Sequence, residues 1–312
     1  RLVSWSACTS AARPERFLVK YLLRHSTRYQ YSGPASLSQN EARILPRVLP
    51  WQECSNSQLE ISPRPDRMRE RTDFFGNRVV YFSIESLHDS LDVSVSSEII
   101  THPKPLADIF SGIAWEQAVL ELRQDPRQTN RDCLDARLYV LSSPFVYQSA
   151  ELAEFARSSF TPGRNLIDAV LELNTRIFTE FTYDPEFTTV ATPLQDVLAS
   201  KRGVCQDFAH LAIGCLRSLG LAARYVSGYM ETLPPPGQEK LLGADATHAW
   251  LAVYVPGWGW LEIDPTNGCV PDERYIVLGW GRDFADVTPL KGVMTGGGEH
   301  VLSVAVDVLP QA

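Results

Sequence analysis

Gly203-Val204-Cys205-Gln206-Asp207-Phe208-Ala209-His210-Leu211-Ala212-Ile213-Gly214-Cys215-Leu216-Arg217-Ser218-Leu219-Gly220 is the stretch whose reading decides the fold. Phe208, Leu211, Ala212, Cys215, Leu216 and Leu219 fall at helical spacing, and Gly220 can take the left-handed conformation that closes a helix. The stretch therefore predicts a helix with a buried face that opens at Cys205, after a break at Ser200-Lys201-Arg202-Gly203-Val204. A cysteine in a first turn faces unpaired backbone N–H groups and the positive end of the helix dipole. Both stabilise a thiolate and make the sulfur a better nucleophile near neutral pH. The backbone N–H of Cys205 is also placed to donate to an oxyanion. Taken alone, Cys205 also fits a small apolar residue packed at a helix start.

Downstream, His248 opens the run His248-Ala249-Trp250-Leu251-Ala252-Val253-Tyr254-Val255, which meets Pro256-Gly257 and returns as Trp258-Gly259-Trp260-Leu261-Glu262-Ile263-Asp264. This is a hairpin signal. With the loop symmetric about Pro256, His248 faces Asp264 across two antiparallel strands, with Cβ atoms about 5 Å apart. A one-residue bulge would break that register. A carboxylate at this distance accepts the imidazole N–H, fixes the tautomer and favours the imidazolium. A partly buried histidine beside a strand-end aspartate is the competing reading of either residue alone. A Cys on a helix N-terminus, followed by a His and an Asp on adjacent strands, is an arrangement that cysteine acyl-transfer sites reach repeatedly.

Upstream of the helix, Leu166, Val170, Leu173, Ile177 and Phe181 recur at spacings of one helical face. Thr192-Pro193-Leu194-Gln195 carries a helix-start pattern. From Phe17 to about His102 the period is two instead: Leu91, Val93 and Val95 alternate with Asp92 and Ser94, and a β-branched run from Val79 to Ile84 follows Gly76-Asn77. Prolines 46, 50, 63 and 65 confine the segment between Ile44 and Asp73 to loops or edge strands. The expectation is an α+β chain with a tail at 1–16, an antiparallel β-sandwich domain at 17–103 and a helix-rich core at 104–312.

Twenty-nine basic and thirty-seven acidic residues leave a net charge of -8, with no basic cluster long enough to track phosphates, which argues against nucleic acid. The cysteines at 8, 54, 133, 205, 215 and 269 form no CxxC pair, so neither a disulfide framework nor a structural zinc is expected. His210, five residues along the helix, is turned well away from Cys205 and reads as a neighbour of the core. No run approaches the length of a membrane span and no apolar signal core stands at the start, so a cytoplasmic location without membrane contact is expected.

The motifs Gly203-Val204-Cys205-Gln206-Asp207-Phe208-Ala209-His210, Thr247-His248-Ala249-Trp250 and Gly257-Trp258-Gly259-Trp260 through Asp264-Pro265-Thr266 resemble the transglutaminase-like superfamily. Leu22-Arg24-His25-Ser26-Thr27-Arg28-Tyr29 and Thr72-Asp73-Phe74-Phe75-Gly76-Asn77-Arg78 resemble the β-rich region that precedes the core in its bacterial members. The similarity extends over nearly everything from residue 17 onward. It implies a papain-like α+β core, a Cys-His-Asp triad at Cys205, His248 and Asp264, and no metal or organic cofactor. Eukaryotic members complete the oxyanion hole with a tryptophan upstream of the nucleophile, yet no Trp lies between Trp115 and Cys205 here. Tyr183 is the substitute candidate, with simple packing as its alternative.

Gly279-Trp280-Gly281-Arg282-Asp283-Phe284-Ala285-Asp286-Val287 and Gly296-Gly297-Gly298 resemble segments that accompany the core in bacterial relatives, and read as a mobile loop beside the cleft. Arg282 and Asp283 are candidate substrate contacts, weighed against a structural turn and an internal ion pair. Trp250 is a candidate cleft wall, weighed against the core placement usual for strand tryptophans. Leu233-Pro234-Pro235-Pro236-Gly237 reads as a stiff exposed connection.

The expected activity is thioester chemistry on a peptide or protein amide, with Cys205 attacking and His248 moving the proton. Resolution by water makes a peptidase or amidase, the leading reading because bacterial relatives of this architecture are commonly labelled cysteine proteases. Resolution by an amine makes a protein-glutamine transferase. A non-catalytic peptide-binding module is the reading from another class. The oligomeric state is not legible in the sequence.

Overall fold

The computed structural model describes residues 18–104, 112–187, 192–232 and 247–311. The expected tail at 1–16 and the proline-rich connection at 233–237 lie outside the described residues.

The first part of the chain forms β1 (Val19–Ala42), β2 (Gln52–Ser62), β3 (Arg67–Thr72), β4 (Arg78–Ile84) and β5 (His88–Thr101). Alternation governs β1, where Val19, Tyr21, Leu23, His25 and Thr27 are buried between exposed or half-buried neighbours. Residues 19–30 of β1 pair with β5, and after an irregularity between Gln30 and Ala35 residues 38–42 pair with β4. A break in register bends a strand. Here Leu91, Val93 and Val95 of β5 share one apolar cluster with Val80, Phe82 and Ile84 of β4, so the antiparallel sheet is folded over its own core as a sandwich is.

The middle of the chain supplies α1 (Trp115–Arg123), α2 (Arg131–Ala136), α3 (Ala150–Arg157) and α4 (Leu166–Glu180). There follow β6 (Thr182–Tyr183), α5 (Leu194–Ser200), β7 (Arg202–Gly203), α6 (Cys205–Ser218) and β8 (Ala223–Met230). The chain continues with β9 (Thr247–Val255), β10 (Gly259–Ile263), β11 (Tyr275–Gly281) and α7 (Phe284–Val287). Leu166, Val170, Leu173 and Ile177 are buried along α4, as their spacing requires. Helix α6 is buried from Asp207 to Arg217 and packs on β9 and β8, with α3, α4 and α5 around it. It closes at Gly220, whose φ is +87°, with Leu221 N–H donating to the Leu216 carbonyl. The buried Arg217 guanidinium is satisfied by the carbonyls of Tyr139, Ala223 and Arg282.

Strands β8 to β11 form an antiparallel sheet in the order β10-β9-β8-β11. Gly228 of β8 permits its layering: a Cβ there would lie 2.1 Å from the Ile276 carbonyl oxygen and 2.5 Å from the Trp250 ring.

One boundary departs from expectation. After α7 the chain forms β12 (Leu290–Gly296) and β13 (His300–Gln311), both of which pair with β1. The core therefore does not run to residue 312, because the alternating apolar residues Val306 and Val308 complete the first sheet's interior with Tyr21 and Leu23. Gly296-Gly297-Gly298 is correspondingly the break between β12 and β13, which run in line along β1, with Gly297 N–H donating to the Pro34 carbonyl, and not a loop beside the cleft.

Candidate active site

Three local devices place Cys205. Helix α5 ends on Lys201 in the left-handed region (φ +53°), which turns the chain into β7. Strands β6 and β7 then pair in parallel, Tyr183 beside Gly203, with Asp184 N–H on the Gly203 carbonyl at 2.8 Å. Finally the Asp207 carboxylate reaches back to accept the Val204 N–H at 2.8 Å, one half of a capping box. Gly203 lies against Asp207 so closely that a Cβ would meet its side chain at 2.9 Å. Cys205 is thus the first residue of α6 and is partly exposed.

His248 lies near the start of β9, and Asp264 follows the end of β10. The hairpin closes on Val255 and Gly259, with Trp258 N–H donating to the Val255 carbonyl. That pairing sets Leu251 opposite Ile263, so His248 is not directly opposite Asp264 as a loop symmetric about Pro256 would have it. The shift is two residues, which keeps both side chains on one face, and the diagonal remains within side-chain reach. His248 Nε2 lies 2.7 Å from Asp264 Oδ2. With Nε2 engaged there, Nδ1 is the remaining ring nitrogen, and the Cys205 sulfur is among the groups that raise the imidazole.

Asp264 is fully buried and its carboxylate is saturated with donors. Besides His248, Oδ2 accepts from Asn267 Nδ2 at 2.7 Å and from the Tyr275 hydroxyl at 2.8 Å. Oδ1 accepts the Thr266 N–H at 2.8 Å. Burial opposes its ionisation, but the His248 charge and these donors outweigh it and hold the carboxyl below the usual range. For His248 burial likewise opposes the charge, and the Asp264 carboxylate together with the Cys205 sulfur raises the imidazole to about 10. The arrangement holds an imidazolium at neutral pH, with its proton ready for a leaving group.

The remaining sequence candidates divide. Tyr183 stands beside Gly203 with its ring 56% exposed; burial of the phenol and the nearby Cys205 and Asp207 charges push its hydroxyl up, so it remains a proton donor. Trp250 is corrected from cleft wall to core: it has no exposed surface, it stacks behind His248 at 6.0 Å, and its Nε1 donates to Glu262 Oε2. Asp283 is corrected from substrate contact to helix cap: it is fully buried and accepts the Ala285 and Phe145 N–H groups. Arg282 is held by Asp286 through Nε (2.9 Å) and Nη2 (3.0 Å), an ion pair within the turn and not a free cation at the cleft. His210 is buried against Phe145 and Tyr225, accepts the Phe284 N–H, and has its basicity lowered to about 3 by burial.

Asn267 and Tyr275 were not singled out by the sequence. Asn267 carries a weak signal, a turn-forming residue just after Asp264-Pro265, whereas nothing local distinguishes Tyr275 from the other strand tyrosines. Among the described residues no group of three or more His, Cys, Asp or Glu is arranged to hold a metal ion, and no helix is long and apolar enough to cross a membrane.

Comparison with known proteins gives matches in both halves of the chain. Residues 21–100 match the bacterial transglutaminase-like N-terminal region, and residues 153–265 match the transglutaminase-like superfamily. An uncharacterized protein of Mycobacterium tuberculosis is 39% identical over 313 residues, 98% of this chain and 97% of that one. A Pseudomonas aeruginosa protein-glutamine gamma-glutamyltransferase is 30% identical over 167 residues, which are 51% of this chain and 23% of that protein. Among solved structures, a Cytophaga hutchinsonii protein described as a putative cysteine protease superposes with a TM-score of 0.72 at 22% identity, covering 96% of this chain and 93% of the other. The mixed α and β architecture, an antiparallel sheet ahead of a papain-like core, is common to both folds.

Proposed function

The chain belongs to the transglutaminase-like superfamily, and from that premise we propose that it is a cysteine-dependent enzyme acting on peptide or protein amides. The observation that carries the reading is the 2.7 Å bond from His248 to the buried Asp264, with Cys205 at the start of α6 acting on the same imidazole. In the first step the Cys205 thiolate attacks the amide carbon. The developing oxyanion is met by the backbone N–H of Cys205 and by the Tyr183 hydroxyl. His248 then gives its proton to the departing nitrogen, ammonia or an amine leaves, and a thioester remains on Cys205. Water attacks the thioester while His248 takes its proton, releasing the carboxylic acid and restoring the imidazolium beside the thiolate. Asp264 stays ionised throughout and holds the ring in one orientation.

Hydrolysis is the preferred outcome because water reaches the partly exposed Cys205 without a second binding site. Amine transfer is the second reading, favoured by the 30% identity with the Pseudomonas aeruginosa transferase over half of this chain. Incubation with glutamine-containing peptides, with and without a primary amine, separates the two by mass. Cleavage or replacement of ammonia by water supports hydrolysis, and amine incorporation supports transfer. Identical masses for the native chain and Cys205→Ala would sink both.

A further inference from the structure

Strand β11 lies at an edge of the core sheet and presents its outer backbone groups to the N-terminal domain. Two buried side chains of that domain serve this edge on either side of Tyr275. Thr101 Oγ1 donates to the Glu273 carbonyl at 2.8 Å. Gln52 mimics a neighbouring strand: its Oε1 accepts the Val277 N–H at 2.7 Å and its Nε2 donates to the Val277 carbonyl at 2.8 Å. On the inner edge Tyr275 pairs with Met230 of β8, and the Glu231 N–H donates to the Arg274 carbonyl. The backbone of Tyr275 is therefore fixed from both sides.

Its side chain points inward. The ring packs edge-on against Trp250 at 5.3 Å, and the hydroxyl lies on Asp264 Oδ2 at 2.8 Å. Cys269 Sγ lies 3.4 Å from the same hydroxyl. Resting on the triad reading above, we propose that Tyr275 is a positioning residue for the reaction, and that the N-terminal domain sets its place through Gln52 and Thr101. The hydroxyl never ionises in the working range, since burial and the Asp264 charge push it far above its ordinary value, so it is a permanent donor. A neutral donor on a buried carboxylate favours the ionised form and fixes its direction. Asp264 in turn orients the imidazole. The β-rich domain thereby acts on the chemistry without touching a substrate.

The titratable groups around Asp264 are His248, Cys205, Tyr275 and Cys269, so the readout is the pH profile of Cys205 itself. Iodoacetamide labelling of the Cys205 peptide, followed by mass spectrometry in the full chain across acid and neutral pH, requires no known substrate. Tyr275→Phe is expected to move the acid limb to higher pH and to slow labelling below neutrality by about fivefold or more, the scale of a lost hydrogen bond to a charged group. A Tyr275→Phe profile that superimposes on the native one, while Asp264→Asn displaces it, overturns the inference alone. If neither Asp264→Asn nor His248→Ala changes the profile, the triad reading fails and the inference with it. Should Tyr275→Phe not fold, Gln52→Ala loosens β11 without touching Asp264; it is expected to shift the same limb in the same direction, and an unmoved limb overturns the proposal.

Discussion

His248 and Asp264 lie on one face of the β9–β10 hairpin, two positions out of direct opposition, and their side chains close the diagonal to 2.7 Å. The bond is buried, and it joins two groups whose charges depend on each other.

Asp264→Ala removes the acceptor from His248, Asn267 and Tyr275 together. Leaving a buried partner uncompensated costs about 3–5 kcal/mol, so the urea midpoint should fall clearly. The milder Asp264→Asn keeps the shape and should lower kcat/KM by roughly 10³–10⁴ through the wrong tautomer. Steady-state rates on whichever amide peptide proves active check the second figure.

The raised His248 fixes a pH dependence of stability. Its value is about 10 in the folded chain against an ordinary 6.5, so the folded state holds a proton that the unfolded state releases between those limits. The contribution is complete below pH 6.5 and is lost as pH rises toward 10. Urea unfolding across that window should show declining stability, and His248→Gln should flatten the decline.

His25 and His210 act in the opposite direction. Burial lowers them to about 4 and about 3, and their ring nitrogens meet the Tyr229 and Thr27 hydroxyls and the Phe284 N–H respectively. As pH falls below 6.5 the unfolded chain takes up protons that these folded residues refuse, so their contribution, present above 6.5, is lost toward pH 3 to 4. His210→Gln should reduce the slope of stability against pH in this range by about one proton.

Gly228→Ala should prevent normal folding or destabilise by about 3 kcal/mol or more, since the added carbon collides with the Ile276 carbonyl and the Trp250 ring. Thermal unfolding measures it. Gly33→Ala, with nothing within 4 Å of the added carbon, is the control and should leave the midpoint nearly unchanged.

Residues that announce themselves through local chemistry were legible. Cys205 stood out because helical spacing and a preceding break fix a helix start, and His248 with Asp264 because a hairpin links them in sequence. Their direct opposition was misread because Gly257 and Gly259, with φ of +77° and +122°, shift the turn by an amount that alternation does not encode. Spacing could not tell Trp250 as wall from Trp250 as core, nor which carboxylate Arg282 would take, since burial depends on layers brought in from elsewhere. The return of β12 and β13 to β1, and the placing of Tyr275 on Asp264, are contacts between distant segments. Local periodicity assigns them an element but no partner.

In the proposed reaction the Cys205 sulfur is the attacking atom. Rapid acid quench of the full chain with an activated glutamine-derived ester, followed by peptide mass spectrometry, captures whatever covalent species forms. An acyl adduct on the peptide containing Cys205, absent in Cys205→Ala and accumulating when His248 is replaced by a residue unable to activate water, is the predicted result. Turnover of amide substrate with no adduct on Cys205, or undiminished turnover by Cys205→Ala, would contradict it.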